Sequence, residues 1–482
     1  MSAAAFMAKA GWSVTVLEQH ETPGGRARQF DAQGFLFDMG PSWYWMPDVF
    51  DRFFACFGKK VSDYYQLERL SPSYRIYWPD GPMDIPADYE ALAQLFESLE
   101  PGSSAKLDKF MQEAAYKYEV GINKLVFKPG RSLKEFADMD LVKGVFKLDV
   151  FTSIQKHIHK YFTHPKLRQL LEFPVLFLGA LPQDTPALYS LMNYADIKLG
   201  TWYPQGGMYQ IVAAMHSVAQ EQGAHFEFNK KVTGISIKGK NAYAVTAVDT
   251  QTNIAETHEA DAVISGADYH FTETELLPEA YRSYTEGYWA KRVMAPSCLL
   301  YYVGLNKKLD NLLHHSLFFD TSFDVHGKEI YSSPAWPTDP LFYVSATSVT
   351  DSTAAPAGCE NLFFLIPVAA GLQGDTEAVR DGYFAKIMTR FEKHLGQSVQ
   401  PHIVYKKSFA VSDFVSEYNS FRGNAYGLAN TLMQTAILKP ACHSKKVDNL
   451  FYTGQLTVPG PGVPPSLISG EVVAKQVIKQ FG

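Results

Sequence analysis

Two stretches near opposite ends of the 482-residue chain carry residues that could hold a cofactor. Near the C-terminus, a short apolar strand at 450–453 precedes a loop rich in glycine and proline and a helical segment at 466–480. Gly460 and Gly462 let the backbone approach a flat ligand, and Pro464 suits the start of a helix whose positive end would face that ligand. A strand, a glycine-rich loop and a helix N-terminus indicate a seat for an anionic cofactor. When this stretch is considered alone, an ordinary surface loop is the alternative interpretation.

The second stretch lies near the N-terminus. A small, helix-forming segment at 3–10 is followed by an apolar strand, 11–18, that ends in Glu18. In a dinucleotide fold, a carboxylate at this point accepts hydrogen bonds from the ribose hydroxyls of adenosine. The segment 22–28 then offers two glycines and two arginines, whose N–H groups suit a pyrophosphate. These residue types raise the expectation of a dinucleotide site.

Five motifs then identify a resemblance that covers essentially the whole chain. They are Leu17-Glu18, Pro23-Gly24-Gly25-Arg26, Phe37-Asp38-Met39-Gly40-Pro41-Ser42, Tyr203-Pro204-Gln205-Gly206-Gly207-Met208 and Pro459-Gly460-Pro461-Gly462-Val463-Pro464. In this order and at these spacings, they resemble the bacterial phytoene desaturase type of carotenoid desaturase, within the FAD-dependent amine oxidase and desaturase superfamily. The resemblance implies an enzyme that uses FAD to introduce conjugated double bonds into a phytoene-like polyene.

The resemblance also implies which residues bind the cofactor. The FAD-binding candidates are Glu18, Gly24, Gly25, Arg26, Gly40, Pro41, Ser42, Gly207, Val232, Gly266, Gly454, Gly462, Val463 and Pro464. Arg168 and Tyr203 are candidates for the substrate tunnel, and for Arg168 a surface or structural ion pair is the alternative. We assign no catalytic acid or base.

The implied fold class is α/β, with a Rossmann-like FAD-binding domain interleaved with an α+β substrate domain of antiparallel sheet and a helical, membrane-facing region. The predicted segments are 1–75, 201–270 and 444–482 for the FAD-binding domain, 76–200 for the helical region and 271–443 for the sheet. The family begins with a buried strand and a G-x-G-x-x-G turn, whereas this sequence begins within the following helix. We therefore expect an FAD unit that lacks its first strand.

Composition narrows the classes of partner. A net charge of −6 and a pI near 6.2 argue against nucleic acid. The aromatic content of 14% suits either a large apolar cavity or an aromatic core. The spacing of the cysteines and histidines indicates neither a disulfide framework nor a metal site. These residues are Cys56, Cys298, Cys359, Cys442, His157, His159 and His164. The sequence also lacks hydrolase, nucleotidase and metalloenzyme motifs.

The expected location is cytoplasmic, peripheral at the inner face of the membrane. The sequence has no secretory signal and no apolar run of bilayer-spanning length. Basic residues alternate with apolar ones at Lys124, Lys128, Arg131, Lys134, Lys143, Lys147, Lys156 and Lys160. This run indicates either a solvated helix face or a patch that docks on anionic lipid, and a polyene dissolved in the bilayer favours the second.

Several functions stay open at this point. A related desaturase could act on another carotenoid or on a retinol-like polyene, with a quinone or oxygen as the electron acceptor. A non-catalytic remnant that binds a polyene or lipid is a hypothesis from a different class, and a generic amine oxidase is a weaker one.

Overall fold

The computed structural model describes residues 1–130 and 149–482. Four members of the basic run lie outside these residues, namely Arg131, Lys134, Lys143 and Lys147. The helices are α1 (Ser2–Lys9), α2 (Pro47–Ala55), α3 (Tyr89–Leu99), α4 (Ser103–Val120), α5 (Ile154–Tyr161), α6 (Pro165–Glu172), α7 (Leu191–Ile197), α8 (Tyr209–Glu221), α9 (Tyr269–Phe271), α10 (Glu286–Ala290), α11 (Phe323–Tyr331), α12 (Glu377–Leu395), α13 (Val411–Tyr418) and α14 (Val463–Phe481).

The strands belong to six sheets among the described residues. They are β1 (Thr15–Leu17), β2 (Gln29–Ala32), β3 (Phe35–Asp38), β4 (Leu67–Arg69), β5 (Tyr74–Trp78), β6 (Gly81–Ile85), β7 (Trp202–Pro204), β8 (His225–Glu227), β9 (Lys230–Lys238), β10 (Asn241–Asp249), β11 (Ala255–Glu259), β12 (Val263–Ser265), β13 (Ser297–Leu305), β14 (His315–Phe318), β15 (Phe342–Ser345), β16 (Glu360–Val368), β17 (Ile403–Phe409) and β18 (Leu450–Tyr452).

Helix boundaries follow local capping. The side chain of Asp88 accepts a hydrogen bond from the N–H of Ala91 at 2.9 Å and begins α3. Ser153 likewise accepts from the N–H of Lys156, so α5 begins at Ile154. The last helix begins at Val463, before the predicted 466, because prolines are tolerated in a first helical turn.

Parallel strand pairs join three distant segments of the chain. Strand β1 pairs with β8, and β12 pairs with β18, both in parallel. The first and last helices also pack together, since Ser2 Oγ donates to the carbonyl of Leu467 at 2.7 Å. Parallel strands connected through helices are typical of dinucleotide-binding domains, and the predicted α/β class is confirmed.

The largest sheet contains seven strands in the order β17-β13-β16-β15-β14-β5-β6. Its pairs are antiparallel except for β14 with β5. Neighbouring residues of β13 face opposite sides: Tyr301 packs on Phe384 of α12, and Tyr302 packs on Phe30 of β2. The sheet therefore has an apolar layer on each face.

The structure differs from the sequence interpretation in two places. The hairpin β5–β6 extends the large sheet, although it precedes the predicted sheet segment 271–443 by almost 200 residues of chain. Besides the long helix α12, that segment contains the shorter helices α10, α11 and α13. These short helices lack the long apolar period that makes a helix recognisable. No described helix is both long and apolar enough to cross a membrane. The domain boundaries and the membrane-facing region stay predictions.

Candidate functional site

The C-terminal loop lies between β18 and the N-terminus of α14. Gly454, Gly460 and Gly462 have φ values of +107°, +136° and +111°, which residues with side chains rarely adopt. Space is open where a Cβ of Gly454 would stand, and its N–H donates to Ser469 Oγ of α14 at 3.1 Å. Val463 and Pro464 form the first turn of that helix. The loop thus combines bare backbone with a positive helix end.

Arg26 connects the N-terminal glycine segment to this loop. Its Nη1 donates to the carbonyl of Asn424 at 3.2 Å, and the amide of Gln455 lies 3.0 Å from its Nη2. The guanidinium also lies 4.9 Å from the centre of the Tyr418 ring. Beside it, Gly25 has open space at its Cβ position. A fixed guanidinium next to bare backbone can bind a phosphate group.

Three of the predicted glycines are explained by close packing. A Cβ on Gly24 would lie 3.0 Å from Val212 Cγ1 of α8, and one on Gly40 would lie 2.6 Å from the carbonyl oxygen of Arg26. One on Gly207 would approach Gln29 Nε2 to 2.4 Å. Segments that approach this closely require glycine whether or not a ligand is bound.

Two acidic side chains hold the loop 203–208 and were missing from the predicted site. Asp38 accepts hydrogen bonds from the N–H groups of Met208 at 2.8 Å and Tyr209 at 3.0 Å, and it thereby caps α8. Asp351 accepts from the N–H of Gly206 at 2.6 Å and from the hydroxyl of Tyr203 at 3.1 Å. Asp38 stands inside a recognised motif, but no sequence pattern marks Asp351.

A small cavity of about 20 Å³ lies beside these acids and is lined by Asp38, Ser42, Tyr203, Met208 and Phe363, among others. A cavity of this size holds about one water molecule. Tyr203 is 1% exposed and its hydroxyl is bonded to Asp351, so its position is fixed by a structural contact. Its role in a substrate tunnel stays a prediction.

The pKa of Asp38 gives the first testable prediction. Burial, together with a smaller effect of nearby Asp351, raises this pKa to about 7 against the lowering effect of hydrogen bonds from Met208, Tyr209 and Gln29. The folded protein therefore binds this proton more tightly than the unfolded chain, and stability falls as pH rises from the ordinary carboxyl range through about 7. We expect Asp38→Asn to flatten that part of the profile.

Thermal unfolding measured across this pH window tests the expectation. Asp310→Asn is a suitable control, because Asp310 is exposed. A profile for Asp38→Asn that keeps the full slope of the wild type would contradict the raised pKa.

The other predicted residues lie on different structural elements from this loop. Glu18 follows β1 and its carboxylate accepts from the N–H of His20 at 3.0 Å, whereas Val232 pairs with Ala247 within the separate sheet β11-β10-β9. Gly266 follows β12, and the nearest atom to its Cβ position, 3.9 Å away, belongs to Thr453 beside Gly454.

Arg168 and the remaining candidates have local contacts. Arg168 on α6 donates through Nε to the carbonyl of Phe162 at 2.8 Å. Ser42 lies near Tyr343 of the large sheet, and Pro41 precedes it. Ligand binding by these residues stays a prediction.

A lysine ammonium group occupies the neighbourhood of His157, where a metal ion would otherwise bind. Ligand atoms of Glu113, Asp149 and His157 lie within 4.8 Å of one another. Lys117 Nζ lies 3.0 Å from Asp149 Oδ2 and 3.4 Å from His157 Nε2, so an ammonium group already supplies positive charge. The expectation of no metal stays a prediction.

Open backbone and buried polar atoms together fit a dinucleotide with a flat ring system. Backbone is uncovered at Gly25 and Gly454, near the fixed guanidinium of Arg26. Lys439 Nζ and Asn430 Oδ1 are buried beside the same loop and have no hydrogen-bond partner among the described residues. Such groups are suited to the polar edge of a ligand.

The chain is similar to known proteins along almost its whole length. The model of the family described as flavin containing amine oxidoreductase matches residues 1–478. A carotenoid 3,4-desaturase from Haloarcula japonica is 42% identical over 483 aligned residues, which cover 100% of this chain and 96% of that protein. A zeta-carotene-forming phytoene desaturase from Myxococcus xanthus is 29% identical, covering 99% of this chain and 92% of the relative. An oxidoreductase structure from Methanosarcina mazei has a TM-score of 0.62 at 15% identity, covering 98% and 97% of the two chains, and shows the shared fold.

Proposed function

Because the chain belongs to the flavin-containing amine oxidoreductase family, we propose that it is an FAD-dependent desaturase that acts on a carotenoid. The observation that carries this proposal is the 42% identity to a carotenoid 3,4-desaturase over the whole chain. The enzyme is an oxidoreductase of CH–CH bonds, and its cofactor is FAD.

The reaction balances as a two-electron oxidation. At two adjacent saturated carbons, one C–H bond breaks and its electron pair leaves with the hydrogen as hydride. The neighbouring carbon loses a proton to water, and the electrons of that second C–H bond form the new double bond. Bound FAD supplies the hydride acceptor.

Residues of this chain hold and orient the cofactor in the proposed reaction. Arg26, held by Asn424 and Gln455, offers its charge to the pyrophosphate. Bare backbone at Gly25 and Gly454 permits close approach. The N-terminus of α14 contributes the positive end of a helix dipole. The remaining FAD-binding candidates of the sequence keep their proposed roles.

The substrate we favour is a carotenoid whose conjugated chain is already longer than that of phytoene and that is still saturated at C3–C4. The support is the difference in identity, 42% to a 3,4-desaturase against 29% to a phytoene desaturase. Phytoene, another carotenoid or a retinol-like polyene is the competing substrate. A quinone or oxygen is the proposed electron acceptor, since the sequence shows no second dinucleotide fingerprint for a nicotinamide.

The function is tested with the purified chain supplied with FAD. Anaerobic addition of liposomes that contain either phytoene or a carotenoid with a longer conjugated chain, saturated at C3–C4, is followed by absorbance. Bleaching of flavin together with longer-wavelength polyene bands supports desaturation, and the substrate that bleaches flavin faster identifies the preferred class. Flavin that stays oxidised with every polyene would contradict the proposed reaction.

An exposed apolar surface supports docking on a membrane. Phe151 is 81% exposed and Met433 is 71% exposed. Both residues lie near the segment that contains Ala187 and Tyr189. The N–H of Ala187 donates to the carbonyl of Thr152, the residue after Phe151, at 2.7 Å. The hydroxyls of Tyr189 and Thr435, two residues after Met433, lie 3.2 Å apart. Exposed apolar side chains on one face of a protein can insert into the interface of a lipid bilayer. We therefore propose that this face meets the lipid surface that contains the polyene.

Replacing Phe151 and Met433 together with Asp is expected to weaken binding to anionic liposomes at least about tenfold, because burial of each apolar side chain contributes roughly 1.5–3 kcal/mol. Flotation with liposomes measures the effect. Ile254→Asp is the matched control, since Ile254 is 59% exposed and lies between β10 and β11. Equal flotation of the double variant and this control would contradict the proposed surface.

A further inference from the structure

Lys439 is a buried lysine beside the C-terminal loop. It is 5% exposed, and its Nζ has no hydrogen-bond partner among the described residues. Burial lowers its pKa to about 7, and no neighbouring carboxylate contributes to that shift. Burying an ammonium group without a partner costs several kcal/mol. The fold thus retains a costly group at this position.

A second polar atom lies at the same place. Asn430 is 2% exposed, and its Oδ1 also lacks a partner among the described residues. A Cβ on Gly460 would stand 3.1 Å from Lys439 Nζ and 3.2 Å from Asn430 Oδ1. Because Gly460 has a φ of +136° and no side chain, a donor group and an acceptor group pack directly against its buried backbone.

We propose that Lys439 and Asn430 face the flavin ring of FAD at Gly460, and that Lys439 is the cation that stabilises the negative charge left on that ring by two-electron reduction. The inference rests on the proposed function, because it requires FAD to bind at this loop. It adds to that function two residues that come from outside the recognised motifs.

The chemistry of the available ligands favours the flavin ring. A carotenoid hydrocarbon has no acceptor atom for an ammonium group, whereas the flavin ring carries carbonyl oxygens and ring nitrogens that accept hydrogen bonds and an N–H that can donate to Asn430 Oδ1. A positive charge near the ring tunes the flavin electronically. The pyrophosphate, a second acceptor in FAD, is the alternative partner that the experiment must separate.

The experiment compares the wild type with Lys439→Met and Lys439→Arg, each loaded with FAD. Methionine keeps much of the apolar side-chain volume without the charge, and arginine keeps the charge. At a fixed potential, we expect the ratio of reduced to oxidised flavin to fall at least about tenfold in Lys439→Met and to fall less in Lys439→Arg. Lys446→Met is the control, because Lys446 is exposed, and it should match the wild type.

Two further measurements make each outcome decisive. Thermal unfolding of the FAD-free chain should show Lys439→Met at least as stable as the wild type, since an unpaired buried charge is removed. ADP, which shares the pyrophosphate but lacks the flavin, should bind the variant and the wild type equally. An unchanged flavin potential in Lys439→Met, or a loss of ADP affinity equal to the loss of FAD affinity, would overturn the inference. If the inference fails but the wild type binds FAD and desaturates carotenoid, the proposed function still holds. A wild type that binds no FAD contradicts both the inference and the proposed function.

Discussion

Replacing Glu471 with Ala is expected to lower the free energy of unfolding by roughly 1.5–3 kcal/mol, because it removes the charge-assisted hydrogen bonds between a buried carboxylate and a partly exposed arginine. The Glu471 side chain is 1% exposed on α14, and its two oxygens accept from Arg52 Nη1 and Nη2 of α2, both at 2.7 Å. The pair anchors the helix whose N-terminus forms part of the candidate site. We therefore expect FAD affinity to fall together with stability.

Acid should reproduce part of this loss. Burial raises the pKa of Glu471, but hydrogen bonds from Arg52 and Lys475 outweigh that effect and hold the pKa below its ordinary value. A depressed carboxyl pKa contributes stability above the unfolded-state value, and this stability is lost as pH falls through the folded-state value.

Urea unfolding of the variant measures the loss, and Lys475→Gln is the control. Lys475 also binds Glu471, at 2.6 Å, but it is 61% exposed, so its removal should cost only about 0.3–0.5 kcal/mol. A Glu471→Ala variant that loses less than about 1 kcal/mol would show that the Arg52 pair does not hold α14 in place.

Replacing Asp351 with Ala is expected to cost roughly 1–3 kcal/mol, because it leaves the buried hydroxyl of Tyr203 and the partly buried N–H of Gly206 without an acceptor. Asp351 is 2% exposed. Besides Gly206 and Tyr203, its carboxylate accepts from the N–H of Thr353 at 2.8 Å and from the Thr353 hydroxyl at 2.6 Å. The loop 203–208 loses its anchor in this variant, so we also expect weaker FAD binding.

The pH dependence of the Asp351 contribution has the same sign as that of Glu471. Burial raises the Asp351 pKa, but hydrogen bonds from Thr353, Gly206 and Tyr203 outweigh it and hold the pKa below its ordinary value. The stabilisation is therefore present at neutral pH and lost in strong acid. Thermal unfolding and flavin titration measure the two effects of Asp351→Ala.

Asp381→Ala provides the matched control. Asp381 binds Lys406 at 2.6 Å, yet the two side chains are 54% and 37% exposed, so removal should cost at most about 1 kcal/mol. Equal losses from the two aspartates would mean that Asp351 contributes no more than a surface ion pair.

The sequence by itself determined the features that depend on local pattern. The bounds of α3 and α12 agree with their apolar periods, because capping residues such as Asp88 and Thr376 stand directly before them. The ordered motifs identified the family, FAD and desaturation, which the comparisons confirm. These conclusions require only residue types and spacings along the chain.

Only the tertiary structure decided which distant side chains meet. Asp351 meets Gly206 across 145 residues of sequence, and Lys439 meets Gly460 from outside every recognised motif. Tertiary packing also explains why Gly40 and Gly207 are glycines, since their Cβ positions are filled by Arg26 and Gln29. Contacts of this kind depend on strand register and on how loops pack, and a buried lysine has the same local sequence signature as an exposed one.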